Sequence, residues 1–122
     1  MTTALEIVNK YYDATDNKKD ATAAGALMAE DFVFVGPLMR IEGKTANIEL
    51  LKKFLPMHVE TRLHRQFADG DDVCSIYDLV VSNPAVGTIT MPMADRMRVT
   101  NRKLAEQTIY YDPREFAKAF GM

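Results

Sequence analysis

From Val59 to Tyr111 the chain alternates apolar and polar residues over four long segments, Val59–Ala68, Val73–Ser82, Thr88–Val99 and Leu104–Tyr111. A period of two over such lengths marks strands with one buried face. The joints carry turn chemistry: Asp69-Gly70-Asp71, then Asn83-Pro84 with Gly87, then Thr100-Asn101-Arg102-Lys103. Short joints make hairpins, so this half predicts an antiparallel meander. No linker, repeat or low-complexity run breaks the pattern, and 122 residues suffice for one core with a pocket. Residues 1–122 therefore read as a single domain.

The first half reads as helical. Thr3-Ala4-Leu5-Glu6 has the spacing of a capping box, and Leu5, Val8, Tyr12 with Ile7, Tyr11 and Ala14 recur at helical intervals to about Thr15. Asp20 can cap a second helix carrying Ala24, Leu27 and Met28, which Glu30-Asp31 ends before a short strand, Phe32-Val33-Phe34-Val35, stopped by Gly36-Pro37. Met39 to Glu42 can return beside that strand. Ile48, Leu51, Phe54 and Leu55 then mark a third helix closed by Pro56. At the far end, Asp112-Pro113-Arg114-Glu115 has the order of an N-cap and first turn, ahead of Phe116, Ala117 and Phe120, with Gly121 as the stop.

Three amphipathic helices and a one-faced sheet satisfy one another by layering. The fold class is therefore α+β: a strongly curved antiparallel sheet packed on three N-terminal helices, with a short C-terminal helix. A twisted sheet wrapped round a long helix leaves a cone, whose mouth is the natural place for a pocket.

Composition narrows the function classes. A net charge of −2, with 15 basic and 17 acidic residues scattered along the chain, offers no basic stripe for nucleic acid. No run approaches the roughly 18 apolar residues of a membrane span, and the start of the chain lacks a positive, apolar leader, so a cytoplasmic location without membrane partners is expected. Cys74 is the only cysteine and reads as a small core residue. His58 and His64 do not form a close ligand pair, so no metal is expected, and without a glycine-rich phosphate loop or dinucleotide fingerprint no cofactor is expected either.

One residue contradicts its surroundings. In Met91-Pro92-Met93-Ala94-Asp95-Arg96-Met97-Arg98-Val99, alternation puts Asp95 on the face of Met91, Met93, Met97 and Val99, with Arg96 and Arg98 opposite. A carboxylate on an apolar face must be paired, hydrogen-bonded or protonated, because desolvating its charge costs several kcal/mol. Asp95 is thus a candidate site, or else an aspartate satisfied inside the core. Asp78 shares a face with Cys74, Ile76 and Val80, and Tyr77 shares one with Val73, Leu79 and Val81. Both faces are mostly apolar, so alternation leaves open whether Asp78 enters the cavity or pairs with a basic residue outside.

The order of elements, with Val8-Asn9-Lys10-Tyr11-Tyr12, Ala29-Glu30-Asp31-Phe32-Val33-Phe34, Gly43-Lys44 and Ile109-Tyr110-Tyr111-Asp112-Pro113, resembles the nuclear transport factor 2-like superfamily. It is most similar to the SnoaL-like and ketosteroid isomerase-like branch. That resemblance implies a small apolar, cyclic or aromatic, oxygen-bearing ligand, with Val35, Met91, Met93, Met97 and Tyr111 lining its pocket, and a homodimer through the outer sheet face. Ketosteroid isomerases use a helix-one tyrosine and a protonated aspartic acid as oxyanion donors. These roles fall on Tyr11 and Asp95. The isomerase base falls on Gly36, which cannot accept a proton, so in an isomerase, cyclase or dehydratase that stabilises an enolate the base is expected to be Asp78 or the substrate itself.

Other branches fit less well. Met93 stands where epoxide hydrolases of this fold have an arginine, and Asp112, the counterpart of a polyketide-cyclase aspartate, reads as an N-cap. A non-catalytic binding or dimerisation domain of the same fold is the competing expectation, which Gly36 favours.

Overall fold

The structure is a computed structural model describing residues 2–85, 87–119 and 121. Helix α1 spans Ala4–Tyr12, and the Thr3 side chain caps it by accepting the Glu6 N–H at 3.1 Å. Beyond Tyr12 the chain widens into a π-helical turn, Asp13–Asn17, closed by the Lys18 N–H on the Asp13 carbonyl at 3.0 Å. Helix α2, Ala21–Gly25, starts at Asp20, whose carboxylate accepts the Ala23 N–H at 2.9 Å. Strand β1 runs Met28–Val35, β2 Arg40–Glu42 and helix α3 Lys44–Phe54, followed by a short 3₁₀ turn, Leu55–Met57. The meander is β3, His58–Asp69; β4, Asp72–Asn83; β5, Gly87–Thr100; and β6, Lys103–Tyr110. Helix α4, Arg114–Ala119, closes the described chain; Phe120, expected in this helix, lies outside the described residues.

The six strands order as β2-β1-β6-β5-β4-β3. All neighbours are antiparallel except β1 and β6, which run parallel. That contact explains where β1 begins. Met28 pairs with Leu104, and the Leu104 N–H reaches the Leu27 carbonyl at 2.8 Å, so the sheet captures Met28-Ala29-Glu30-Asp31 from the helix expected there. Helical spacing of Ala24, Leu27 and Met28 is local, whereas β6 is distant in sequence and wins by pairing.

The meander's alternation sets the core. On β5, Ile89, Met91, Met93, Asp95, Met97 and Val99 are all buried, while their neighbours turn outward. Met28, Phe32, Val73, Met97 and Leu104 meet Ile7, Val8 and Tyr11 of α1 in the main core. Each such side chain contributes roughly 1.5–3 kcal/mol by burial. Helix α3 is held by Asn47, whose buried amide donates to the Ile41 and Gly43 carbonyls at 3.1 and 2.8 Å.

Helices α2 and α3 touch at Gly25, where an added Cβ would run into the Cγ1 and Cδ1 atoms of Ile48. Gly25→Ala is therefore expected to destabilise the protein by about 1–3 kcal/mol in urea unfolding, since the branched Ile48 must be displaced.

Candidate functional site

Strand geometry builds the site. On the inner face, Asp95 of β5 pairs laterally with Ser75 of β4 and Ile109 of β6. Tyr77 and Gln107 are opposite Met93 and Met97, one diagonal step from Asp95 on either side. Diagonal neighbours lie within reach of long side chains. Tyr77 donates its hydroxyl to Asp95 Oδ2 at 2.8 Å, and the Gln107 amide donates to Oδ1 and Oδ2 at 3.1 and 3.0 Å. From the helix layer above, Tyr12 at the end of α1 donates to the same Oδ2 at 2.7 Å. The carboxyl, 1% exposed, thus faces three donors from three elements.

The electrostatics follow from the burial. Asp95 is pushed up to about 6, because removing its charge from water outweighs the three hydrogen bonds that favour the ionised form; the charge of Asp16 adds to the rise. Burial first, and the Asp95 charge second, push the Tyr12 and Tyr77 hydroxyls well above the usual phenol value, so both stay protonated. Asp95 is therefore an acceptor when ionised and can become a donor when it binds a proton near neutral pH. No buried side-chain nitrogen or oxygen among the described residues lacks a partner.

Asp95 borders an apolar cavity of about 140 Å3 inside the cone. Its walls include Met28, Phe32, Phe34, Leu51, Met91 and Met93, with Tyr111 and Phe116 nearby. Among the described lining residues Asp16 and Asp95 are the carboxylates, and there is neither lysine nor arginine. An adjoining polar recess of about 350 Å3 shares Tyr12, Asp16, His58 and Thr61 with the cavity. At this junction the His58 side chain is 2% exposed, its Nε2 lying 2.8 Å from Thr61 Oγ1 and 3.4 Å from Asp16 Oδ1, and its Nδ1 against the Lys19 ammonium. Desolvation holds His58 below its ordinary value, with Asp16 opposing.

The residues named from sequence distribute unevenly. Asp95, Met91, Met93 and Tyr111 border the cavity. Tyr11 also borders it, but Tyr12 is the residue that reaches Asp95; the two rings are in edge contact, 5.9 Å apart. Adjacent helical positions differ by about 100°, and a resemblance carried over position by position cannot resolve that rotation. Asp78 stands on the outer face with Oδ2 2.9 Å from His64 Nε2, because Tyr77 takes the inner position of β4. It is not a stand-in base. Met97 is fully buried against α1 in the main core, beyond the cavity, and Val35 alternates away from it while Phe34 and Gly36 face in. A Cβ at Gly36 would already lie 3.3 Å from Ile109, so the position has little room for a larger group.

Tyr77, Gln107, Asp16 and His58 are the polar additions to the sequence reading. Gln107 shares its strand face with Ile109 and Tyr111, a signal of the same kind as Asp95 among methionines. Asp112 is exposed and bound by Arg114, whose guanidinium holds its carboxyl down at about 2.

A cone of curved sheet over helices, enclosing an apolar cavity with a buried acid, defines a class of small α+β pocket fold. Residues 8–107 match the SnoaL-like domain, and the chain belongs to that family. Similar solved structures include an NTF2-like protein of unknown function from Cytophaga hutchinsonii, 23% identical, covering 95% of this chain and 96% of that one with a TM-score of 0.82. A protein with a ketosteroid isomerase-like fold from Catenulispora acidiphila, in complex with trimethylamine, is 21% identical over 99% and 95% of the two chains, TM-score 0.79. An LEH-like epoxide hydrolase from M. tuberculosis is 19% identical over 95% and 87%, TM-score 0.80. No curated protein matches the sequence.

Asp95 leaves a signature in stability. Its folded-state value near 6 exceeds the ordinary 3.8, so its protonated form favours folding; that contribution is complete below about pH 4 and is lost as pH rises through about 6. Urea unfolding is expected to show wild type losing about 3 kcal/mol across this window relative to Asp95→Asn. Tyr77→Phe removes a donor to the ionised form and is expected to extend the decline to higher pH.

Proposed function

We propose that the protein binds a small apolar ligand of one or two rings whose carbonyl oxygen is held by the Asp95, Tyr12 and Tyr77 cluster. The observation that carries this reading is a wholly buried carboxyl, raised to about 6, on the wall of a largely apolar cavity. A cavity near 150 Å3 accommodates benzene in a protein of known behaviour, so about 140 Å3 suits a compact ring system. With Asp95 protonated, its hydroxyl donates to the ligand oxygen, while Tyr12 and Tyr77 donate to the carboxyl and hold it in place. Donors preorganised at a developing oxyanion supply about 3 to 4 kcal/mol each, which is the basis for isomerase-, cyclase- or dehydratase-like chemistry through an enolate.

A second occupant has specific support. Two carboxylates without a lysine or arginine favour a cation, and the Catenulispora protein is in complex with trimethylamine. The two ligand classes differ in pH sign. A neutral ketone needs protonated Asp95, whereas an ammonium ion needs it ionised.

Binding of 2-indanone, followed by calorimetry, is expected to weaken by up to tenfold per pH unit above about 6 in wild type and to be independent of pH in Asp95→Asn, whose amide always donates. An affinity that instead rises with pH, or a pH-independent wild type, contradicts the carbonyl reading; tighter binding of trimethylammonium at high pH supports the cation.

The homodimer implied by the family resemblance belongs to the same reading, in a cytoplasmic setting. Phe67, Ile76 and Tyr110 lie on the outer sheet face at 48%, 38% and 60% exposure, an apolar set that a second copy can cover. Phe67→Lys is expected to shift sedimentation toward the monomer.

A further inference from the structure

We propose that Asp16 is the proton acceptor of this pocket, taking a proton from the carbon beside the ligand carbonyl; the inference rests on the carbonyl reading above. Four observations lead to this residue. Gly36 carries no acceptor, and Asp78 lies outside. The hydroxyl hydrogens of Tyr12 and Tyr77 are directed at Asp95. His58 faces the Lys19 ammonium with Nδ1, so Nε2 carries the ring hydrogen and acts as a donor toward Thr61 and Asp16. Asp16 remains as the cavity-lining carboxylate not already enclosed by donors.

Its setting suits the role. The π-helical turn after α1 carries Asp16 to the junction of cavity and recess, and π turns recur at functional sites. Thr15 Oγ1 donates to Asp16 Oδ1 at 3.0 Å, and His58 Nε2 approaches the same oxygen, which fixes one carboxylate oxygen and leaves the other open. The side chain is 22% exposed, so a proton gained inside the cavity can leave through the recess. His58 and Thr15 are positioning residues.

The step balances. An Asp16 oxygen forms an O–H bond as the α C–H bond breaks; the released electron pair becomes the enolate C=C bond, and the carbonyl oxygen takes the negative charge under the hydroxyl of protonated Asp95, which Tyr12 and Tyr77 hold in place. Reversal returns a proton to carbon. In heavy water the returning particle is deuterium, because the Asp16 carboxyl, open to the recess, exchanges its proton with solvent while the enolate is still bound.

The test is deuterium incorporation into 2-indanone in heavy water, read by proton NMR, alongside its binding. Wild type is expected to accelerate incorporation over buffer, and Asp16→Asn to lose about 100-fold of that acceleration or more while its affinity for 2-indanone stays within about threefold. Retained binding shows the variant is folded; Asp16→Ala serves if the asparagine variant is not. Undiminished incorporation in these variants, or wild type that binds without accelerating exchange, overturns Asp16 as the base and leaves the pocket reading standing. Failure of wild type to bind 2-indanone overturns the pocket reading and the base with it.

Discussion

A single carboxyl, Asp95, ties the helix layer to the sheet and sets the chemistry of the cavity. Three donors converge on it from α1, β4 and β6, so the strand that carries it, β5, is fixed against both neighbours and against the helix above. A buried charge without partners costs several kcal/mol, and a buried polar cluster is tolerable only when each member is satisfied. Here each member is satisfied, and burial still dominates, because Asp95 remains well above the usual carboxylate range. The same imbalance that costs stability at neutral pH produces a group able to hold or release a proton there.

Around that group the fold divides labour. The main core, where Met97, Val73 and Leu104 meet α1, carries the stability, and the cavity beyond it stays open because rings and methionines line it without filling it. Polar groups gather at two places on the cavity wall: the Asp95 cluster and the junction formed by Asp16, His58 and Thr61. A ligand lying between them meets hydrogen-bond donors at one end and an acceptor at the other.

Much of this was legible in the amino-acid order, and the failures are instructive. Alternation alone put Asp95 inside, since a period of two is a purely local rule that the sheet obeys over the length of β5. The meander and its turns followed from the same rule. The resemblance points to Tyr11 whereas the Tyr12 hydroxyl reaches Asp95, because a loose resemblance does not fix helix rotation to within one residue. Tyr77 and Gln107 owe their places to strand register, in which diagonal offsets on both sides of Asp95 bring them together. Alternation does not place Asp78, because both faces of β4 are mostly apolar. The early start of β1 depends on the pairing of Met28 with the distant Leu104 of β6, and the meeting of Asp16 with His58 on the π-helical turn and the start of β3; neither has a local signature.

The most direct measurement is a carbon-13 NMR titration of the side-chain carboxyls, with Asp95→Asn supplying the assignment. A buried carboxyl held between opposing effects of desolvation and three donors should titrate near 6 and carry its proton below that pH. A midpoint below about 4 would mean that hydrogen bonding prevails over burial and that Asp95 is ionised throughout the neutral range. Asp95 would then be a fixed anion, and the carbonyl-binding account would be wrong.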